Sequence, residues 1–136
     1  MGWNLTHYVR SDFDELVRFF RCVFDELGHE FALTGKDRDL RRVADTYQSG
    51  GGAFIVAKVQ GRIVGTVALR PIDPRTGELK RFYVMHAHGG RGLGATLLAK
   101  CLNHAQAAGF TCVRLDTTFP LQINGRWVAI CPLYAA

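Results

Sequence analysis

The sequence predicts a mixed α/β (α+β) fold in a single domain spanning residues 1–136, and three observations carry that reading. Two apolar runs, GAFIVAKV and RIVGTVALR, meet at Gln60-Gly61, a tight hairpin signal. Phe13, Leu16, Val17, Phe20, Phe24 and Leu27 recur at helical spacing. Four glycines within six positions (Gly89, Gly90, Gly92 and Gly94) stand directly before a second helical run. With 48% hydrophobic residues, no internal repeat and no linker, strands and helices interleave around one core.

WNLTHYVR alternates enough to be an opening strand. Ser11 then offers an N-cap, with Asp14 three positions on as its capping-box partner, and the first helix runs from about Asp12 to Leu27. Gly28 is its natural stop. A second, more polar helix is expected over KDRDLRRVADTYQ, with Leu40, Val43, Ala44 and Tyr47 as one stripe and the charge run as a solvated face. SGGG at 49–52 is a break, after which the hairpin, the turn DPRTG and the strand ELKRFYVM form a three-stranded meander. The glycine loop follows, then a long third helix from about Gly92 to Ala108, ended by Gly109, and a further strand in TCVRLDTT.

Composition narrows the partners. A net charge of +5 suits an anionic partner such as a phosphorylated cofactor. The basic residues are dispersed and not interleaved with aromatics, which argues against nucleic acid. No apolar run reaches membrane-spanning length and the start does not read as a signal peptide. It does match M-G-x-x-x-[ST] through Gly2 and Thr6, the myristoylation pattern, although the segment reads better as a strand. Cys22, Cys101, Cys112 and Cys131 are scattered without a C-x-x-C, so reduced thiols and a cytoplasmic location are expected. His86 and His88 lack partner ligands at useful spacing, so no metal is expected.

A helix N-terminus presents backbone N–H groups without helical partners at the positive end of the macrodipole. Glycines just before it let the backbone approach an anion closely, and phosphate is the usual occupant. A dinucleotide fingerprint fails here because Leu97 lies three beyond Gly94, and a P-loop fails for want of G-K-[ST]. The pattern that fits is Q/R-x-x-G-x-G/A, present as Gly89-Gly90-Arg91-Gly92-Leu93-Gly94.

With KRFYV before this loop, AAGF ending the helix after it and VRLDT as the next strand, the chain resembles the GNAT superfamily, the acyl-CoA-dependent N-acyltransferases, over roughly residues 3–118. The resemblance implies a mostly antiparallel central sheet flanked by helices, and acetyl-CoA (coenzyme A) as co-substrate. It implies that the backbone from Gly89 through Gly90, Arg91, Gly92, Leu93 and Gly94 to Ala95 cradles the pyrophosphate, Arg91 adding charge. One departure is Gly89, where the motif has Gln or Arg. The strand before the loop would supply the Phe82 N–H to the thioester carbonyl and Val84, beside Tyr83, to the pantetheine amides. Strand alternation puts Glu78, Lys80, Phe82 and Val84 on one face. Glu78, fourteen positions before Gly92, is the general-base candidate, because an amine must lose a proton before it attacks.

After LDTT the family pattern continues with a helix carrying a tyrosine general acid, whereas this chain reads FPLQINGRWVAICPLYAA. Tyr134 is the nearest substitute, several positions out of register. Closing strands are absent from the pattern, so an open sheet edge is expected to give either a homodimer or an impaired enzyme. The resemblance implies a small-molecule or peptide amine as acceptor, with His29, Glu30 and Phe31 in the loop expected to roof it, and with acidic residues nearby pointing to a cationic acceptor. The competing reading is a coenzyme A-binding protein without turnover.

Overall fold

The computed structural model describes residues 2–115, 121–123 and 126–128. Five strands form one sheet in the order β1 (Asn4–His7), β2 (Ala53–Val59), β3 (Arg62–Asp73), β4 (Thr76–Val84) and β5 (Cys112–Leu115). Each of the first four runs antiparallel to its neighbour among them, and β5 runs parallel to β4. This is the mostly antiparallel sheet that the resemblance implies. The β2–β3 turn falls at Gln60-Gly61, where both residues take positive φ, 51° and 80°, the twist that a two-residue hairpin requires. A separate hairpin pairs β6 (Leu121–Ile123) with β7 (Arg126–Val128).

Two helices cover opposite faces. The helix α1 (Phe13–Leu27) lays Leu16, Phe19, Phe20, Val23 and Phe24 against one face, with Phe54, Val56, Ile63 and Ala68 from the sheet. The helix α2 (Leu93–Ala107) lays Leu93, Leu97, Leu98, Cys101 and Ala105 against the other, on Ile55, Ala57, Val67, Leu69 and Leu79. The aromatic spacing read in the sequence thus becomes a buried stripe in which Phe20 stacks edge-on to both Phe19 and Phe24. Cys101 is a free thiol that burial pushes up to about 12. Cys22 is also free, whereas Cys112 is disulfide-bonded, against the expectation of reduced thiols throughout.

Two local expectations are corrected. Ser11 does not cap α1. A 3-10 turn over Arg10–Asp12 precedes the helix, and Asp12 reaches back to accept from the Val9 N–H at 3.0 Å while pairing with Lys58 at 2.6 Å. Gly28 does end α1, in the left-handed conformation at φ 73°. Nor is there a continuous second helix. Residues 36–48 form a 3-10 turn at Arg38–Arg41 and a wide turn at Ala44–Gln48, broken at Arg42 by φ −136°. Leu40, Val43 and Tyr47 are buried as the stripe requires, but Ala44 is exposed. The cause lies in the carboxylates of this segment, which bind groups elsewhere and hold the backbone off helical geometry.

Two carboxyls on the α1 side titrate below their ordinary values of 4.5 and 3.8. Burial alone would raise Glu15, but the Arg18 guanidinium, the Ile63 N–H and the Arg62 charge outweigh it. At Asp37 burial is overcome in the same way by Lys36, the Ala32 N–H and Arg81. A carboxyl held below its unfolded value contributes stability that is full above that value and is lost as pH falls through the folded one. The urea midpoint should therefore hold steady down to about pH 5.5 and decline below it, and Glu15→Gln should shallow the decline. A midpoint that rises on acidification through this window would contradict the assignment.

Candidate active site

The fourth strand carries an irregularity that organises the site. Thr66 lies opposite Tyr83 and Ala68 opposite Lys80, so β4 takes three steps where β3 takes two. The extra residue is a β-bulge at Arg81, whose φ is 52°. Thr66, fully buried, donates its hydroxyl to the Arg81 carbonyl at 2.7 Å. The Arg81 side chain, 12% exposed, reaches the turns that precede β2. There it donates to Asp37 Oδ1 at 3.0 Å and to both oxygens of Asp39, with its guanidinium over the Phe20 ring at 5.5 Å. Tyr47 donates its hydroxyl to Asp39, and Asp37 also accepts from Lys36 and from the Ala32 N–H. Burial disfavours the Arg81 charge, but hydrogen bonds and charge from Asp39, then Asp37, hold it well above its ordinary value. Burial and the Asp39 carboxylate likewise push the Tyr47 hydroxyl up.

The bulge resets the alternation, which corrects the expectation that Glu78, Lys80, Phe82 and Val84 share one face. Leu79, Phe82 and Val84 pack on the α2 side, so Glu78 and Lys80 point to the other. Tyr83 packs on the α1 side, edge-on to Phe20 and Phe24 at 5.6 and 5.3 Å.

Beyond the bulge, β4 runs on to Val84, opposite Gly65 of β3. The chain then passes through a short 3-10 turn, His86–His88, pinned to α1 by a hydrogen bond from the His86 N–H to Glu26 at 3.0 Å. Gly89 has ordinary extended angles, but Gly90 and Gly92 take φ of 72° and 84°. Gly92 stands at the N-cap of α2, and no side chain caps that first turn. The Thr96 hydroxyl instead turns back to the Gly92 carbonyl at 2.8 Å. The Leu93 side chain is buried, so what it and its neighbours Gly94 and Ala95 present at the helix start is backbone N–H. Arg91 is exposed beside them. Gly94 abuts the bulged strand: a Cβ there would lie 3.7 Å from Phe82 Cζ and 3.9 Å from Val84 Cγ2. Phe82, Val84 and the glycine-opened helix end are thus brought together.

A cleft of about 1200 Å³ opens between the turns at 36–47 and β4, with Leu79, Lys80, Arg81, Phe82, Tyr83, Arg70 and Leu115 on its sheet side. Glu78 lies at its margin. Its side chain is 17% exposed, 3.5 Å from Lys80, with Arg70 and Arg114 as its register neighbours on β3 and β5. His29, Glu30 and Phe31 do not line this cleft: His29 and Phe31 pack on Phe24 and Glu30 is exposed. The later residues of the same connection, from Lys36 onward, take that place. Tyr134 lies outside the described residues.

The acetyltransferase (GNAT) family model matches residues 13–124. The chain belongs to the GNAT acetyltransferase family. It is 32% identical over 108 residues to N-acetyltransferase 8F1 of Rattus norvegicus, covering 76% of this chain and 49% of that protein. This GNAT chain therefore spans about half the length of that relative. A GNAT-family acetyltransferase from Staphylococcus aureus Mu50 superposes with a TM-score of 0.77 at 26% identity, covering 85% of this chain and 72% of that one. A GNAT-family acetyltransferase from Brucella melitensis, solved in complex with acetyl-CoA, shares the fold at a TM-score of 0.70, with 18% identity and 94% and 92% coverage.

Within this GNAT chain, reading the sequence alone missed the residues that shape the cleft. The run KDRDLRR, expected to be a solvated face, instead supplies Lys36, Arg38, Arg41 and Arg42 to the cleft wall and Asp37 and Asp39 to Arg81. Thr66, in an apolar strand, carried no signal until its partner was known. A non-glycine residue at positive φ leaves no mark in the sequence.

Proposed function

We propose that this chain is an acetyl-CoA-dependent N-acetyltransferase that moves an acetyl group to the primary amine of a small molecule or peptide by direct attack. One observation carries the reading: the bulged end of β4, at Phe82 and Val84, lies against the uncapped, glycine-opened start of α2. Backbone N–H groups from Gly90 to Ala95 would take the pyrophosphate, with Arg91 adding positive charge. The Val84 backbone would pair with the pantetheine arm, and the Phe82 N–H would face the thioester oxygen, where negative charge develops. Tyr83, turned to the α1 side, contributes its backbone alone to this surface.

In the transfer, the amine lone pair forms the new C–N bond at the thioester carbon, the C–S bond breaks and sulfur leaves as thiolate. Glu78 accepts the amine proton. Phe82 lies four residue steps along the strand, at most roughly 13 Å at about 3.3 Å per step, so the proton travels through water. A thiol pKa near 8.5 makes the thiolate a tolerable leaving group without a dedicated acid.

Thermal unfolding with and without acetyl-CoA, with a high-salt control, tests the binding step: a saturable rise in Tm is expected. Glu78→Gln should then cut turnover by about 10²–10⁴-fold while leaving the acetyl-CoA-induced shift intact. Equal loss of both would make Glu78 structural. Saturable stabilisation with no turnover on any amine would favour the coenzyme A-binding reading instead.

A further inference from the structure

The cleft beside β4 has a charge that the transfer chemistry does not use. Seven cationic side chains line it (Lys36, Arg38, Arg41, Arg42, Arg70, Lys80 and Arg81) against two acidic ones, Asp39 and Asp45. Most of the cations are committed within the protein. Arg81 is held by Asp37 and Asp39, Arg42 by Asp45 and Lys80 by Glu78. Lys36 pairs with Asp37 and lies 4.8 Å from the centre of the Phe24 ring, and Arg38 donates to the Gly35 carbonyl. Among the described residues, the side chains of Arg41 and Arg70 make no ion pair or hydrogen bond, and both are exposed on the cleft wall. The two acids are occupied as well, Asp39 by Arg81 and Tyr47 and Asp45 by Arg42.

A wholly cationic acceptor would therefore enter a surface of like charge with, among the described residues, no carboxylate on the lining left to receive it. An anion would find two guanidiniums whose planar forks suit carboxylate and phosphate oxygens. Arg70 stands directly across the β3–β4 pair from Glu78, so an anion held there anchors the acceptor one strand away from the base. We infer that the acceptor amine also carries an oxyanion, a carboxylate or a phosphate, bound by Arg41 and Arg70. This rests on the acetyltransferase reading and stands against the cationic acceptor expected from the sequence.

The test measures binding and transfer separately. Coenzyme A binding is measured first by calorimetry, on the wild-type chain and on the Arg41→Gln/Arg70→Gln variant. Both positions are exposed, so the variant should fold. With coenzyme A bound, affinities are then measured for two matched pairs: L-phenylalanine against L-phenylalaninamide, and O-phosphoethanolamine against ethanolamine. At least one anionic member should bind about tenfold more tightly than its uncharged-tail partner, and the larger ratio assigns carboxylate or phosphate. The double variant should erase that preference, raise KM for the anionic amine more than it lowers kcat, and leave coenzyme A affinity unchanged. Equal affinity within both pairs, a preference that survives the double variant, or no binding by either anionic amine would overturn the inference while leaving the acetyltransferase reading in place. Parallel loss of coenzyme A affinity would assign the two arginines to the nucleotide phosphates and overturn it too. A folded wild-type chain that does not bind coenzyme A would sink the acetyltransferase reading, and this inference with it.

Discussion

Replacing Arg81 by alanine should cost about 3–5 kcal/mol of folding stability, read as a fall in the urea midpoint. The magnitude follows from what is left behind. Asp37 is 3% exposed and would keep one partly solvated lysine in place of a guanidinium, and Asp39 would keep a tyrosine hydroxyl alone. A buried carboxylate deprived of its counterion is far costlier than a pair never formed, so Arg81→Ala/Asp37→Asn/Asp39→Asn should recover part of the loss. Arg81→Lys should fall between, because an ammonium cannot span two carboxylates as the fork does. Acetyl transfer should suffer beyond the loss of folded protein. The bulge decides that Phe82 and not Arg81 faces α2, and relaxing it would shift the register and send the wrong backbone N–H toward the thioester. A stability loss under about 1 kcal/mol would mean that strand pairing and the Thr66 hydrogen bond hold the bulge without the ion pairs.

That network also marks where the sequence stops being readable. Periodicity located α1, α2 and the β2–β3 hairpin because each is encoded locally: apolar residues at helical spacing, an apolar run behind glycines, and Gln60-Gly61 between two strands. The glycine loop was legible for the same reason, its function needing residues without a Cβ at neighbouring positions. The broken helix at 36–48 was not. Its residues favour helix on their own, and the competing partners of Asp37 and Asp39 lie over forty residues away on β4. The faces of β4 were misread for the same reason, since strict alternation holds only until a bulge, and the partners of Arg81 at that bulge are those distant carboxylates. The cationic wall of the cleft was hidden by the same distance in sequence. A charge run read as a solvated helix face cannot be seen as one wall of a cleft until the turns that carry it are placed against β4.

Gly92→Val should lower acetyl-CoA affinity by about a hundredfold or more while costing only about 1–3 kcal/mol of stability. The two effects have separate origins. At φ 84° a β-branched residue is strained whatever surrounds it, and that strain sets the stability loss. A Cβ at Gly92 would meet nothing within 4 Å in the protein, so packing adds no further penalty. The open space is where the loop would receive phosphate, and a branched side chain there would hold the anion away from the N–H groups of Leu93, Gly94 and Ala95. Gly89→Ala is the matched comparison. Its φ of −73° suits any residue, a Cβ would sit 3.3 Å from the His86 carbonyl, and affinity should change little. Calorimetry on both folded variants separates the terms, with the fall in Tm of the free protein reporting strain and the lost acetyl-CoA heat reporting the cradle. If Gly92→Val folds and binds acetyl-CoA like the wild type, the phosphates do not lie at this turn, and the positive φ serves only to join β4 to α2.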